Sequence, residues 1–382
     1  MRGHVYKRGN TYTYVVDLGR DQNGKRMQTS KGGFDLKKKA EAAMNQLIVK
    51  VEKGDYFVSK DMFYKDYLEK WMLEYCVTNL EPKTVKTYKQ LIDSYIIPKL
   101  GNLKLDKLRP LDLQSLYTYM QTVLGLSGTT ALRCHEVINV SLKHAVQWQM
   151  INNNVALSVQ RPRKNKPEMN VLDAEQSNML IERTSNLTLY LPILLALTTG
   201  MRRGEILGLT WDNVNLDEGV IYVKRQLKTD KGILKFGTLK TTKSKRKIVL
   251  LDYTIPILAA EKKRQAELSS EICPQHKKWN LVICQSDFSP YQPDYVSRNF
   301  LRKMTKISIE LNLPKIRFHD LRHTHATLLL LGGINPKIVS ERLGHSSIGI
   351  TLDTYSHVLP CMQEEAATKL NMLMLNSNNT ST

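Results

Sequence analysis

Four short segments constrain this chain more than anything else in it. They are Thr199-Gly200-Met201-Arg202-Arg203-Gly204-Glu205, His319-Asp320-Leu321-Arg322, Leu343-Gly344-His345 and, ten residues on, Tyr355. They supply two arginines, two imidazoles and a phenol, spread over the second half of the sequence. Any one of them alone reads as a surface or structural residue. Their order and spacing together ask for a fold that gathers distant segments into one pocket. His319 and Arg322 are three apart, so on a helix they share a face. Arg202 opens a helix after Thr199-Gly200-Met201, and Glu205 is placed three residues on to hold a neighbouring backbone group or the arginine itself.

At 382 residues the chain has room for two or three domains with cores of their own. Residues 1–57 read as a small domain. The stretch 12–18 alternates as a strand, 19–24 is a turn, 25–30 is the return strand, and the neighbours of Tyr6 offer a third. Asp35 is placed to cap a helix over 36–53 that Gly54 stops. Residues 58–160 read as four helices, over 61–79, 82–97, 110–124 and 127–150, the second stopped by Pro98. Phe63, Tyr67, Trp71 and Tyr75 recur every four residues on the first of these, a stripe that reads as core. Residues 161–169 form a polar, basic, proline-containing linker.

Residues 170–375 make the largest domain. Asp173 caps its first helix. Helices follow over 189–199 (ended by Gly200), 202–209, 255–270 and 293–311, then from His319 and from Pro336. Three short strands lie at 219–227, 233–238 and 247–251, with lysine-rich turns between them. The tail 376–382 is polar and expected to be disordered. The expected fold class is multidomain α+β: a three-stranded sheet with one helix, an all-α domain, and a mainly α domain carrying a small antiparallel sheet.

The net charge of +20 points to a polyanionic partner. Nucleic acid fits better than a membrane surface, because no basic amphipathic helix ends in an apolar anchor. The first 60 residues hold 13 lysines and arginines against six acids, so the small domain shares this character, and a basic three-stranded sheet can lie in a DNA major groove. No apolar run is long enough to span a bilayer, and no secretory signal follows Met1. The five cysteines are scattered without a CxxC pair, which reads as reduced thiols in the cytosol.

Two guanidinium groups can grip the non-bridging oxygens of one phosphate with forked hydrogen bonds. Fixed cations there oppose the charge that builds up in a pentacoordinate transition state, as a metal ion does elsewhere. Neither metal nor cofactor is therefore implied. Tyr355 would attack phosphorus, and its phenol, with a pKa of about 10, needs a proton acceptor. His319 is the expected base and His345 the expected donor to a phosphate oxygen. His323 and His325 read as packing or capping residues. The departing 5′ oxygen needs a proton, and the segment Leu239 to Lys247 offers several lysines to deliver it. The polar setting of Asp353 to His357 favours exposure of Tyr355. The product would be a 3′-phosphotyrosyl bond, which keeps the energy needed for rejoining.

The motifs TGMRRGE around Arg202, HDLRHTHAT around His319 and Arg322, and LGHSSIGITLDTY ending at Tyr355 resemble those of the tyrosine recombinases. The resemblance is to the integrases of temperate phages and integrative conjugative elements in particular. It implies Arg202 and Arg322 as the catalytic arginines and Lys240 as the hairpin lysine, with Lys243 and Lys245 as competitors. It implies His319 as the histidine of HxxR, His345 as the second histidine position, Tyr355 as nucleophile and Glu205 as acidic support. It also implies an arm-site DNA-binding domain, then a helical core-binding domain that forms a C-shaped clamp on duplex DNA with the catalytic domain. The substrates it implies are attachment core and arm sites, bound by a homotetramer in a bacterial cytoplasm, at the nucleoid. A DNA-bending host factor and an excisionase are implied as further partners. The segment 361–375, with Ala366, Ala367, Leu370 and Leu373 at helical spacing, would dock on its own domain or on a neighbouring protomer. The rivals are a type IB topoisomerase-like enzyme and a catalytically inactive DNA-binding regulator.

Overall fold

The computed structural model describes residues 3–20, 26–52, 62–164, 169–230, 232–239, 244–269, 279–355, 367–368, 370–372 and 374. The turn residues 21–24, Gly54, Lys240, Lys243, most of the segment 361–375 and the tail 376–382 lie outside the described residues. The chain divides into two compact units, residues 1–166 and 167–382.

In the first unit, β1 (Gly3–Arg8), β2 (Thr11–Arg20) and β3 (Arg26–Phe34) form an antiparallel sheet in that order. Arg8 pairs with Thr11 across the two-residue turn Gly9-Asn10, where Gly9 takes φ +59. Helix α1 (Lys37–Glu52) covers the sheet; its first turn closes on Leu36, and Asp35 pairs with Lys39 instead of capping it.

Four helices follow. The first, α2, spans 64–79, with a π turn at Met72–Cys76 between Tyr64–Trp71 and Val77–Asn79. Of the stripe, Tyr67 and Trp71 are fully buried beside Tyr64 and Leu68, Tyr75 is half-buried against the same core, and Phe63 stays 42% exposed under Lys65. The second, α3, spans 82–100 and runs past Pro98. The sequence predicts a stop there. A π turn at Ile92–Ile96 moves the backbone bond of Ile97 to the Ile92 carbonyl. Pro98 then falls in the first turn of a new α segment, where its missing N–H costs nothing. Helices α4 (Pro110–Thr122) and α5 (Gly128–Gln147) complete this core.

In the second unit, Asp173 caps α6 (Ala174–Thr184) through a reciprocal capping box with Gln176. There follow α7 (Tyr190–Thr199), α8 (Arg203–Leu207) and the short strands β4 (Val214–Asn215), β5 (Val220–Val223), β6 (Gln226–Asp230), β7 (Ile233–Gly237) and β8 (Arg246–Val249). The predicted strand at 219–227 is two: β5 joins β4 and β8 in one sheet, and β6 pairs with β7 in a separate hairpin. Helices α9 (Thr254–Ser269), α10 (Pro293–Glu310), α11 (Asp320–Leu331), α12 (Pro336–Leu343) and α13 (Ile348–Tyr355) complete the unit. The helix over 348–355 is not among those expected from the sequence. Among the described residues, no helix is long and apolar enough to cross a membrane.

Candidate active site

Helix α7 is apolar on every side and buried, and it delivers its C-terminus to the centre of the second unit. It ends at Gly200, φ +65, where a Cβ would sit 2.6 Å from His325 Cδ2 and 2.7 Å from Leu343 Cδ2. Only glycine meets both demands. The chain then extends at Arg202, the N-cap of α8. Glu205 folds back on it: Oε2 accepts from the Arg202 backbone N–H at 2.9 Å and Oε1 from Arg202 Nη1 at 2.9 Å.

A second arginine grips the same carboxylate. Arg246, the first residue of β8, donates from Nη2 to Glu205 Oε2 at 2.8 Å, from Nε to the Arg342 carbonyl at 2.6 Å and from Nη1 to the Ser244 carbonyl at 3.1 Å. Arg246 is not among the site residues expected from the sequence, yet its strand position carries a signal. Arg246 and Ile248 point the same way on a strand, and Ile248 is fully buried. A charge aimed at the core needs a partner.

Arg322, 3% exposed, reaches from α11 to donate to the Gly200 carbonyl at 2.6 Å and the Leu343 carbonyl at 2.7 Å. Arg202 donates to the next carbonyl, Gly344, at 3.1 Å. Both guanidinium groups therefore end on successive carbonyls where α12 stops. Gly344 makes that stop at φ +68, with Arg246 Nη1 3.0 Å from where a Cβ would lie. His325 is structural, as expected: it bonds the Leu197 carbonyl and receives Arg342 Nε.

The charges are unevenly matched. Burial alone would raise the Glu205 carboxyl, but the charges and hydrogen bonds of Arg246 and then Arg202 hold it below the usual range. Arg322 directs its fork to carbonyls, which leaves its positive charge available. Burial, followed by Arg202, lowers it to about 9, so it remains a cation at neutral pH.

Tyr355 departs from expectation. It is 1% exposed and packs against Ala326, Leu330, Val339 and Leu343. The reason is α13: folding 348–355 as a helix against α12 turns Tyr355 inward and leaves Leu352 and Asp353 outside. Its hydroxyl lies 2.8 Å from His323 Nδ1. The expected partner, His319, stands exposed at the N-cap of α11, its ring edge-on to that of His323 with centroids 5.0 Å apart. The two histidines share a helix face one turn apart, and the inner one reaches the phenol. His345 pairs through Nδ1 with Thr351 Oγ1 at 2.8 Å.

Burial pushes the Tyr355 phenol up to about 12, against the pull of Arg322. Burial, then Arg322 and Arg202, takes His345 down to about 3. Burial lowers His323, with Asp320 opposing. His319 opens to solvent on one side; the protein wall behind it, then His323 and Arg322, hold its imidazole below the usual value. All three rings are thus neutral near pH 7, each able to give one hydrogen bond and accept one. The structure therefore brings Arg202, Glu205, Arg322, His345 and Tyr355 around the end of α12, with His319 at the rim. Lys240 lies outside the described residues.

The profile of the phage integrase family matches residues 170–361, that of a phage integrase N-terminal SAM-like domain matches 63–121, and that of an arm DNA-binding domain matches 4–51. The chain is similar to a tyrosine recombinase XerC-like protein of Caldanaerobacter subterraneus subsp. tengcongensis, 28% identical over 95% of this chain and 96% of that one. It is similar to the ICEBs1 integrase of Bacillus subtilis, 25% identical over 78% of this chain and 80% of the relative. Among solved structures, the Tn1549 transposon integrase in complex with circular intermediate DNA shares the fold at TM-score 0.64 and 21% identity, covering 76% of this chain and 94% of that one. A lambda integrase tetramer bound to a Holliday junction shares it at TM-score 0.57 and 17% identity, covering 90% and 92%. The chain belongs to the phage integrase family, the tyrosine recombinases that break and rejoin DNA.

Proposed function

We propose that this chain is the integrase of a mobile element, cutting and rejoining DNA through a 3′-phosphotyrosyl intermediate on Tyr355. The observation that carries the reading is the pair Arg202 and Arg322, ending on the successive carbonyls of Gly344 and Leu343. Two forked cations from separate elements, held rigidly side by side, suit the non-bridging oxygens of one phosphate. Glu205 orients Arg202, and neutral His345 and His319 donate to phosphate oxygens. Lys240, or failing it Lys243 or Lys245, protonates the 5′ oxygen as it leaves.

In this reading four protomers pair two duplexes, cut one strand of each, exchange them through a Holliday junction and repeat with the other strands. The lambda integrase tetramer on such a junction supports that assembly. The match over 4–51 supports arm-site binding by the basic sheet. A DNA-bending host factor and an excisionase would set direction, in the cytoplasm and at the nucleoid of a bacterial host.

A nicked suicide duplex carrying the element's core site tests the proposal. The wild type should trap a covalent protein–DNA complex and Tyr355→Phe none, with or without a chelator. Strand scission that persists in Tyr355→Phe, or that the chelator abolishes, overturns it. Relaxation of supercoils without pairing of sites would favour a topoisomerase.

A further inference from the structure

The Tyr355 hydroxyl has a partner that neither the family resemblance nor the family matches assign to the reaction. His323 Nδ1 lies 2.8 Å from Tyr355 Oη, and the two ring centroids are 5.7 Å apart. Tyr355 sits at the end of α13 and His323 in the first turn of α11, so the bond joins two elements. We propose that His323 is a catalytic residue, the acceptor of the phenolic proton when Tyr355 attacks DNA. This rests on the recombinase reading above. His319 is then left to the phosphate, for which its exposed place at the helix N-cap suits it.

Three observations support the assignment. The bond is short and runs to the reacting oxygen itself, which is the geometric requirement for a general base. Tyr355 is buried, so bulk water is a poor alternative acceptor. The surroundings of His323 favour a ring free of a proton before the reaction: burial first, then Arg322 and Arg317, disfavour its charged form, while Asp320 in the same helical turn opposes them. His319 meets the ring edge-on, and His345, in the loop before α13, is close enough to sense its charge.

The step balances. Tyr355 Oη forms its bond to phosphorus and the bond from phosphorus to the 5′ oxygen breaks. The phenolic proton passes to His323 Nδ1, and the 5′ oxygen leaves with a proton from the hairpin lysine. Rejoining runs the same transfers in reverse, so His323 returns the proton to Tyr355.

The test is single-turnover cleavage of the nicked duplex by the full chain, followed across pH. His323→Asn keeps a polar atom near the Nδ1 position but cannot titrate. It should bind DNA as the wild type does and cleave about 100-fold more slowly near pH 7, the lower range for general-base catalysis. The wild-type rate should rise with pH as His323 loses its proton and then level off, and His323→Asn should lack that acid limb. Its deficit should narrow as pH climbs towards the phenol's own ionisation, because a phenolate needs no acceptor. A substrate with sulfur in place of the bridging 5′ oxygen leaves without protonation, so it should rescue a Lys240→Ala variant but not His323→Asn.

A His323→Asn enzyme with the wild-type rate and pH profile overturns the inference. So does an acid limb that survives in His323→Asn and disappears in His319→Asn. If the wild type itself forms no covalent complex, the recombinase reading fails instead, and the two failures are distinct.

Discussion

Replacing Glu205 by glutamine removes the one carboxylate shared by Arg202 and Arg246. The Arg246–Glu205 pair is buried, its side chains 6% and 2% exposed, and breaking such a pair costs about 3–5 kcal/mol. Glutamine keeps one neutral acceptor for the two bonds on the Oε2 side, which returns about 1 kcal/mol. Its amide then turns a donor towards Arg202 Nη1, a contact 38% exposed on the arginine side and worth about 0.5 kcal/mol. The net expectation is a loss of about 2.5–4.5 kcal/mol, which in a unit the size of residues 167–382 lowers its melting midpoint by roughly 5–18 °C. Scanning calorimetry at pH 7 reads this on the transition of that unit. The acid dependence gives a second check. The folded-state pKa of Glu205 lies below its unfolded value, so its contribution is complete above pH about 4.3 and declines as pH falls through the folded value. The gap between wild type and Glu205→Gln should therefore shrink as pH falls below about 4.3. A variant within 2 °C or so of wild type at pH 7, or a gap that ignores acid, would refute the argument that this carboxylate organises the arginine cluster.

Three further outcomes follow from the same geometry. Arg202→Ala should abolish trapping of the covalent complex while leaving DNA affinity, measured by gel shift, within a few fold, because Arg202 faces one phosphate among many; equal loss of both would indicate a structural role. Gly200→Ala should lower stability by about 2–4 kcal/mol in urea denaturation, combining strain at φ +65 with overpacking against His325 and Leu343. Affinity for core-site DNA should fall steeply as salt rises from 50 to 200 mM, about 10³-fold or more if six or more phosphates are contacted, and a flat dependence in fluorescence anisotropy would contradict a net charge of +20 serving DNA.

Much of the local structure was legible in the residues. Asp173 with Gln176, Pro110, Pro293 and Pro336 mark helix starts, and Gly200 marks a helix end. These signals act through dihedral preference and hydrogen bonds within a few residues, so a single chain displays them. The Arg202–Glu205 contact belongs with them, since a three-residue spacing at a helix start forms its capping contact almost irrespective of the rest of the fold. The course of α3 past Pro98 was not legible, because it depends on a π turn and a buried Ile92 and Ile96 held by neighbouring helices.

By itself, then, the sequence determined which residue types were on hand, two arginines, imidazoles, a carboxylate and a phenol, and the helix ends that carry them. Tertiary structure decided who meets whom. Arg246 reaches Glu205 across 41 positions, Arg322 reaches the Gly200 carbonyl across 122, and Tyr355 turns inward to His323 across 32. Such contacts are set by how α7, α11, α12 and β8 pack against one another, where one helical turn separates His319 at the surface from His323 at the phenol. Residue spacing places both on one face, and only packing says which of them touches the reacting oxygen.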